Sequence, residues 1–202
     1  MTLRRLSTLL LVVLPLAIAS HAVHAAQKND PTQTTRATTR EQRVNTIFAD
    51  ISQATWIRDG KSAHVIYVFF DPNCPYCHKV YDLLRPQVQR GEVELRWVPT
   101  GKLMTTSLGK AAAMLEDKDP TAALARNERD FSQETGSFGG IEEEPLPRED
   151  TLRRLEANYA LLKRSGNDAV PALLYRTKEG KVNLLVGAPP ATTLDAVVKS
   201  LE

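Results

Sequence analysis

The stretch VIYVFFDPNCPYCHKV, residues 65–80, decides the fold. Its first six residues are apolar and rich in β-branched and aromatic side chains, which is typical of a strand buried on both faces. The turn Asp71-Pro72-Asn73 ends this strand. Pro75 then stands where the first turn of a helix accepts proline, because the missing N–H would be unpaired there anyway. The stretch therefore predicts a strand that leads directly into a helix, with Cys74 at the helix entrance.

Outward from this stretch, helical and strand patterns alternate along the chain. We predict helices over 40–57, 75–88, 108–116, 120–131, 148–163 and 192–201. We predict strands over 64–70, 93–98, 172–175 and 182–186. This order predicts an α/β domain over 61–202 with a mixed central sheet, in which a helical insertion at about 102–166 separates a βαβ half from a ββα half. The glutamates at 142–144 fall in a loop that we expect to be solvated.

The N-terminal segment has the layout of a secretory signal. Two arginines precede an apolar run, and a small-residue stretch over 22–26 follows, with cleavage expected after Ala25. The apolar run has about 11 residues, whereas about 20 are needed to span a bilayer. We therefore predict export, with a cleaved signal peptide over 1–25, a flexible polar leader over 26–39 and a linker-like helix over 40–60.

Charge gives no indication of a nucleic-acid partner. The chain has 26 Lys and Arg residues and 24 Asp and Glu residues. Two of the basic residues, Arg4 and Arg5, lie in the predicted signal, so the mature chain is close to neutral. Nucleic-acid binding depends on an excess of basic residues that neutralise phosphates, and we predict no such partner.

The two cysteines carry the chemical prediction. Cys74 and Cys77 close too small a loop to stabilise the fold much, so their value is chemical. Free N–H groups and the helix dipole at the helix entrance favour the thiolate of Cys74. We expect Cys74 to exchange with a substrate disulfide and Cys77 to resolve the mixed disulfide. Pro75 and Tyr76 would tune the redox potential, and His78 would add positive character when protonated.

Other interpretations of the motif stay open at this stage. Cys74-x-x-Cys77-His78 also spells the attachment signature of c-type haem, although a strand that feeds a helix favours a reactive thiol. A zinc site is disfavoured, because only His64 and His78 accompany the two cysteines in the mature chain. We predict no metal and no cofactor besides the redox dithiol. A chaperone-like module that holds client proteins is the alternative outside redox catalysis.

The motif and its flanks resemble the catalytic domain of the periplasmic disulfide isomerases DsbG and DsbC, and DsbG more closely. The resemblance spans about residues 52–201 and rests on the segments 56–60, 65–77, 109–115, 118–120, 170–175 and 186–187. It implies a thioredoxin fold and a periplasmic thiol–disulfide oxidoreductase. Its substrates would be unfolded or oxidised exported proteins, and a membrane partner resembling DsbB or DsbD would recharge the pair.

The resemblance also implies a cis bond before Pro171, in a loop that faces the cysteines. Val170 would then offer its backbone to an extended substrate. The family usually has Thr at this position, whereas the oxidase DsbA is similar to this chain in having Val. Only about 48 residues separate the predicted cleavage site from Cys74, too few for the dimerisation domain of the isomerases. We therefore expect a monomer with weak or absent isomerase activity, and the direction of electron flow stays open.

Overall fold

The computed structural model describes residues 31–134, 136 and 138–202, without the side chains of 31–38. The predicted signal peptide, 1–25, lies outside the described residues. The helices are α1 (Pro31–Ala49), α2 (Pro75–Gln89), α3 (Ser107–Glu116), α4 (Pro120–Arg129), α5 (Glu149–Arg164) and α6 (Ala191–Ser200). The strands are β1 (Ile57–Asp59), β2 (Val65–Phe70), β3 (Glu94–Pro99), β4 (Ala172–Arg176) and β5 (Val182–Val186). No helix in this part of the chain is long and apolar enough to cross a membrane.

The described strands form one mixed sheet in the order β1-β3-β2-β4-β5. β2 lies at its centre, parallel to β3 and antiparallel to β4, and the edge strands β1 and β5 are antiparallel to their neighbours. Helices cover both faces, so five of the six residues of β2 are buried. The mixed sheet is confirmed, and α3, α4 and α5 form the helical insertion between its two halves.

Side chains of β2 alternate between the two faces of the sheet. Ile66, Val68 and Phe70 pack with α2 and α6 on one face, which we call the α2 face. Tyr67 and Phe69 pack with α1 and α5 on the opposite side, the α1 face. The strand that precedes Cys74 is therefore fixed by apolar packing from both directions.

The N-terminal boundaries differ from those predicted. Among the described residues, helix α1 covers Pro31–Ala49, which includes part of the segment predicted as a flexible leader over 26–39, and it ends well before Ile57. A 3-10 turn over Ile51–Gln53 follows, and the chain then enters β1. This strand was not predicted, because the helix predicted over 40–57 extends to its first residue. The helix was predicted to end too late because buried residues continue through the turn at the same three- and four-residue spacing as in the helix.

Candidate active site at the start of α2

Cys74 is the N-cap residue of α2, as the position of Pro75 predicted. Its backbone is extended, with φ −85° and ψ 113°, and its N–H donates to the Asp71 carbonyl at 3.0 Å. The backbone N–H of Cys77 donates to the Cys74 Sγ at 3.3 Å. Side-chain atoms of N-cap residues commonly accept such a bond from the third helical residue. The sulfur of Cys74 therefore lies beside the backbone N–H groups of the helix entrance.

The pKa values of the two thiols are displaced in opposite directions. The pKa of Cys74 is lowered, mainly because the Cys77 thiol donates a hydrogen bond to it, and backbone N–H groups of Cys77 and Tyr76 add to this effect against the cost of burial. The pKa of Cys77 is raised well above its usual range, first by burial and then by the hydrogen bond and the charge of Cys74. The pair therefore divides into a thiol at the helix entrance whose anionic form is favoured and a buried thiol that favours its protonated form and donates to it.

The loop before β4 lies against Cys74. When protonated, the Cys74 thiol donates to the Val170 carbonyl oxygen at 3.7 Å, a long contact typical of sulfur. The Val170–Pro171 peptide bond is cis. The structure thus brings the pair Cys74 and Cys77 together with Val170 and Pro171, although Cys74 and Val170 lie 96 residues apart in the sequence. Only 3% of the Cys74 surface is exposed, so an incoming sulfur has to displace part of this loop contact.

A buried carboxylate fixes the turn that delivers Cys74. Asp71 is 1% exposed and directly follows the last residue of β2. Its oxygens accept hydrogen bonds from Asn73 N (3.0 Å), Ser107 Oγ (2.6 Å), Lys102 N (2.8 Å) and Leu103 N (2.9 Å). These bonds tie the turn to the loop that follows β3. From the sequence, Asp71 was predicted only as a turn residue, and the signal that could have revealed its role is an acidic residue directly after a buried strand.

His78 contacts α4 through a buried glutamate. Its Nδ1 lies 2.9 Å from Glu128 Oε2 and its Nε2 lies 3.4 Å from Asp82 Oδ2. The ring stacks on Phe131 with 4.4 Å between ring centroids. The hydrogen bond to Glu128 raises the pKa of His78 against a smaller effect of burial. Both ring nitrogens therefore have carboxylate partners, whose negative charges favour the protonated form of the ring.

The outer side of the motif is open to solvent. Tyr76 is 64% exposed, and Pro75 is half-buried. These two residues, together with Lys79 and Gln133, line an open groove of about 530 Å³. Among residues 31–134, 136 and 138–202, no three His, Cys, Asp or Glu side chains are grouped to hold a metal ion.

Comparison with known proteins gives one family model and two relatives that match at the level of sequence. The family model of the thioredoxin-like domain matches residues 51–202. The thiol:disulfide interchange protein DsbG of Pseudomonas aeruginosa is 34% identical over 156 residues, which are 75% of this chain and 58% of that protein. DsbG of Escherichia coli K12 is 28% identical over 188 residues, 88% of this chain and 73% of that protein. The chain thus spans little more than half the length of its Pseudomonas relative.

Solved structures share the fold at lower identity. A linker-deletion mutant of Proteus mirabilis ScsC aligns with a TM-score of 0.60 and 21% identity, covering 90% of this chain and 97% of that chain. The thiol-disulfide exchange protein alpha-DsbA2 of Wolbachia pipientis aligns with a TM-score of 0.59 and 16% identity, covering 83% and 98%. At these identities the likeness concerns the fold alone. With the family match, it confirms the thioredoxin fold.

Proposed function

This chain belongs to the thioredoxin-like family, and from that premise we propose that it is a periplasmic thiol–disulfide oxidoreductase of the DsbG type. The opposed pKa displacements of Cys74 and Cys77 at the entrance of α2 are the observation that carries the proposal. They supply what thiol exchange needs, namely an attacking thiolate and a second thiol that holds its proton until the first has reacted. Similarity to two thiol:disulfide interchange proteins supports the same reaction.

The reaction proceeds in two exchanges when the pair reduces a substrate. The Cys74 thiolate attacks one sulfur of the substrate disulfide, a Cys74–substrate bond forms, and the other substrate sulfur leaves and takes a proton from solvent. Cys77 then gives up its proton and attacks the Cys74 sulfur. The Cys74–Cys77 disulfide forms, and the second substrate sulfur leaves as a thiol. Two electrons pass to the substrate, and oxidation of a substrate dithiol is the same sequence reversed.

Substrate binding falls to the loop around Val170. Its carbonyl lies 3.7 Å from the Cys74 sulfur, so an extended segment that pairs with this backbone brings its own sulfur toward Cys74. The proposed substrates are unfolded or oxidised exported proteins, and the proposed partner that recharges the pair is a membrane protein resembling DsbB or DsbD. Pro75, Tyr76 and His78 keep their proposed tuning roles, and the dithiol itself serves in place of a cofactor.

The proposal is tested by exchange assays on the wild type and two variants. The wild type should reduce insulin with dithiothreitol as electron donor, and Cys74→Ala should not. Cys77→Ala should accumulate a mixed disulfide with a cysteine-containing client, visible on a non-reducing gel, because the resolving thiol is missing. Exchange that survives in Cys74→Ala would refute the proposal. A wild type that holds unfolded clients without any exchange would favour the chaperone alternative instead.

Localisation and assembly need separate measurements. A periplasmic location predicts that the protein is released by osmotic shock, whereas retention with the cytoplasmic fraction would contradict it. The monomeric state stays a prediction. Sedimentation equilibrium tests it, and a mass near twice that of the chain would contradict it.

A further inference from the structure

We propose that Lys110 of α3 is a positioning residue for the Cys74 thiol and that it acts through the side chain of Asn73. The inference deepens the function proposed above and rests on it. The effect of Lys110 reaches the Cys74 sulfur through the turn before α2.

Asn73 directly precedes Cys74 and is 1% exposed. Its Nδ2 donates to Thr106 Oγ1 and Ser107 Oγ, both at 3.0 Å. Its Oδ1 accepts from Lys110 Nζ at 3.1 Å and from the backbone N–H of Gly139 at 3.3 Å. An amide side chain has two donors and two acceptor sites, and all four are used here. The residue next to the reactive sulfur is thus held from four directions.

Lys110 supplies the charged member of this set. It is 5% exposed, and its Nζ also donates to the Gly139 carbonyl oxygen at 2.6 Å. One ammonium group therefore joins the turn before Cys74, helix α3 and the loop that begins at Gly139. A hydrogen bond from a charged donor is stronger than a neutral one, so it dominates the orientation of the Asn73 amide.

The surroundings offset part of the cost of burying the Lys110 ammonium group. Burial lowers the pKa of Lys110, and the negative charges of Glu142, Glu143 and Asp71 oppose that effect. Glu142 and Glu143 are exposed, as predicted for the acidic loop. The loop nevertheless packs closely on α3, since a Cβ added at Gly109 would lie 2.7 Å from the Glu143 Cβ. The acidic residues thus have a second use, as counter-charges for a buried cation.

A buried ammonium is costly unless it is fully hydrogen-bonded, and an apolar side chain would fill the same space at lower cost. The benefit that offsets this cost is the fixed position of the peptide between Asn73 and Cys74. If Lys110 is removed, Asn73 Oδ1 loses its charged donor and the turn gains freedom. The Cys74 sulfur then spends less time in line with the Cys77 N–H, and its thiolate form is less favoured.

A double-mutant cycle tests the inference with the full chain. The rate of iodoacetamide alkylation of Cys74 at pH 6.5 is measured by mass spectrometry for the wild type, Lys110→Met, Asn73→Ala and the double variant. We expect Lys110→Met to slow alkylation roughly threefold to tenfold, the effect of losing one hydrogen bond at the thiolate's support. In the Asn73→Ala background, Lys110→Met should cause no further slowing, because both changes break the same connection.

Two results would overturn the inference: an unchanged rate in Lys110→Met, or the same slowing in both backgrounds. Ile47→Ala, which weakens packing on the α1 face, serves as the control for lost stability and should leave the rate unchanged. If Lys110→Met does not fold, Lys110→Gln replaces it with a smaller expected slowing of about twofold. Alkylation needs no protein substrate. Failure of the wild type both to reduce insulin and to oxidise a substrate dithiol would therefore refute the proposed function while leaving the Lys110 effect separately measurable.

Discussion

On the α1 face of the sheet, the side chains of α1 and α5 pack against β2 as an apolar layer, whereas the layer on the α2 face continues into buried polar groups around Cys74. The side chains of Ile47 and Leu162 on the first face are fully buried in this apolar cluster. Asp71 and Asn73, at the end of the second, are equally buried and hydrogen-bonded throughout. The difference indicates that one face supplies stability, while the other also controls the state of a single sulfur.

Cys74→Ala should have the largest effect on chemistry and little effect on stability. It removes the proposed nucleophile, so insulin reduction should fall to the uncatalysed rate. The thermal midpoint should change by only a few degrees, because the change removes one buried sulfur atom. Turbidity assays and calorimetry measure the two quantities. A large loss of stability with partial activity would contradict the separation of roles between the α1 face and the α2 face.

Ile47→Ala should show the reverse pattern. The side chain is 0% exposed on the α1 face, and its truncation should lower the free energy of unfolding by about 2–5 kcal/mol. Urea unfolding measures this loss. The alkylation rate of Cys74 at pH 6.5 should match that of the wild type, because no polar group of the active site is disturbed. A slower rate would mean that the two faces are coupled.

Cys77→Ala should weaken the thiolate of Cys74 without unfolding the protein. The hydrogen bond from the Cys77 thiol is the main cause of the lowered Cys74 pKa, so its loss should raise that pKa. Alkylation of Cys74 at pH 6.5 should slow by roughly threefold to tenfold. The pH profile of the thiolate absorbance at 240 nm checks the direction. A profile identical to that of the wild type would contradict the assigned donor.

Glu128→Gln should produce the smallest effect, seen as a change in pH dependence. A folded pKa raised above the ordinary value of 6.5 means that His78 stabilises the fold fully below that pH, and that this contribution is lost as pH rises through the folded pKa. The contribution of His78 to the wild-type free energy of unfolding should therefore decline from about pH 6.5 upward. The variant should show a flatter profile in urea titrations. Parallel pH profiles of the wild type and the variant would contradict this contribution of His78 to stability.

Local pattern was sufficient to predict the centre of the molecule. An apolar run, a turn and a proline placed Cys74 at a helix entrance, because each of these signals acts within a few residues. Strand β1 was missed, since three residues show no periodicity. Lys110 and Asn73 lie 37 residues apart and meet only because α3 packs beside the turn, so no spacing rule reveals their contact. The cis bond before Pro171 came from the family resemblance, since few X–Pro bonds in folded proteins are cis.

The two cysteines, three residues apart at the entrance of one helix, are expected to hold their protons with unequal strength. Reduced protein alkylated across a pH series, with each cysteine followed separately by mass spectrometry, measures this directly. The account predicts that Cys74 reacts at a pH below the ordinary thiol range, while Cys77 stays unlabelled until the protein unfolds. Equal pH dependence of the two sites, or labelling of Cys77 first, would contradict it.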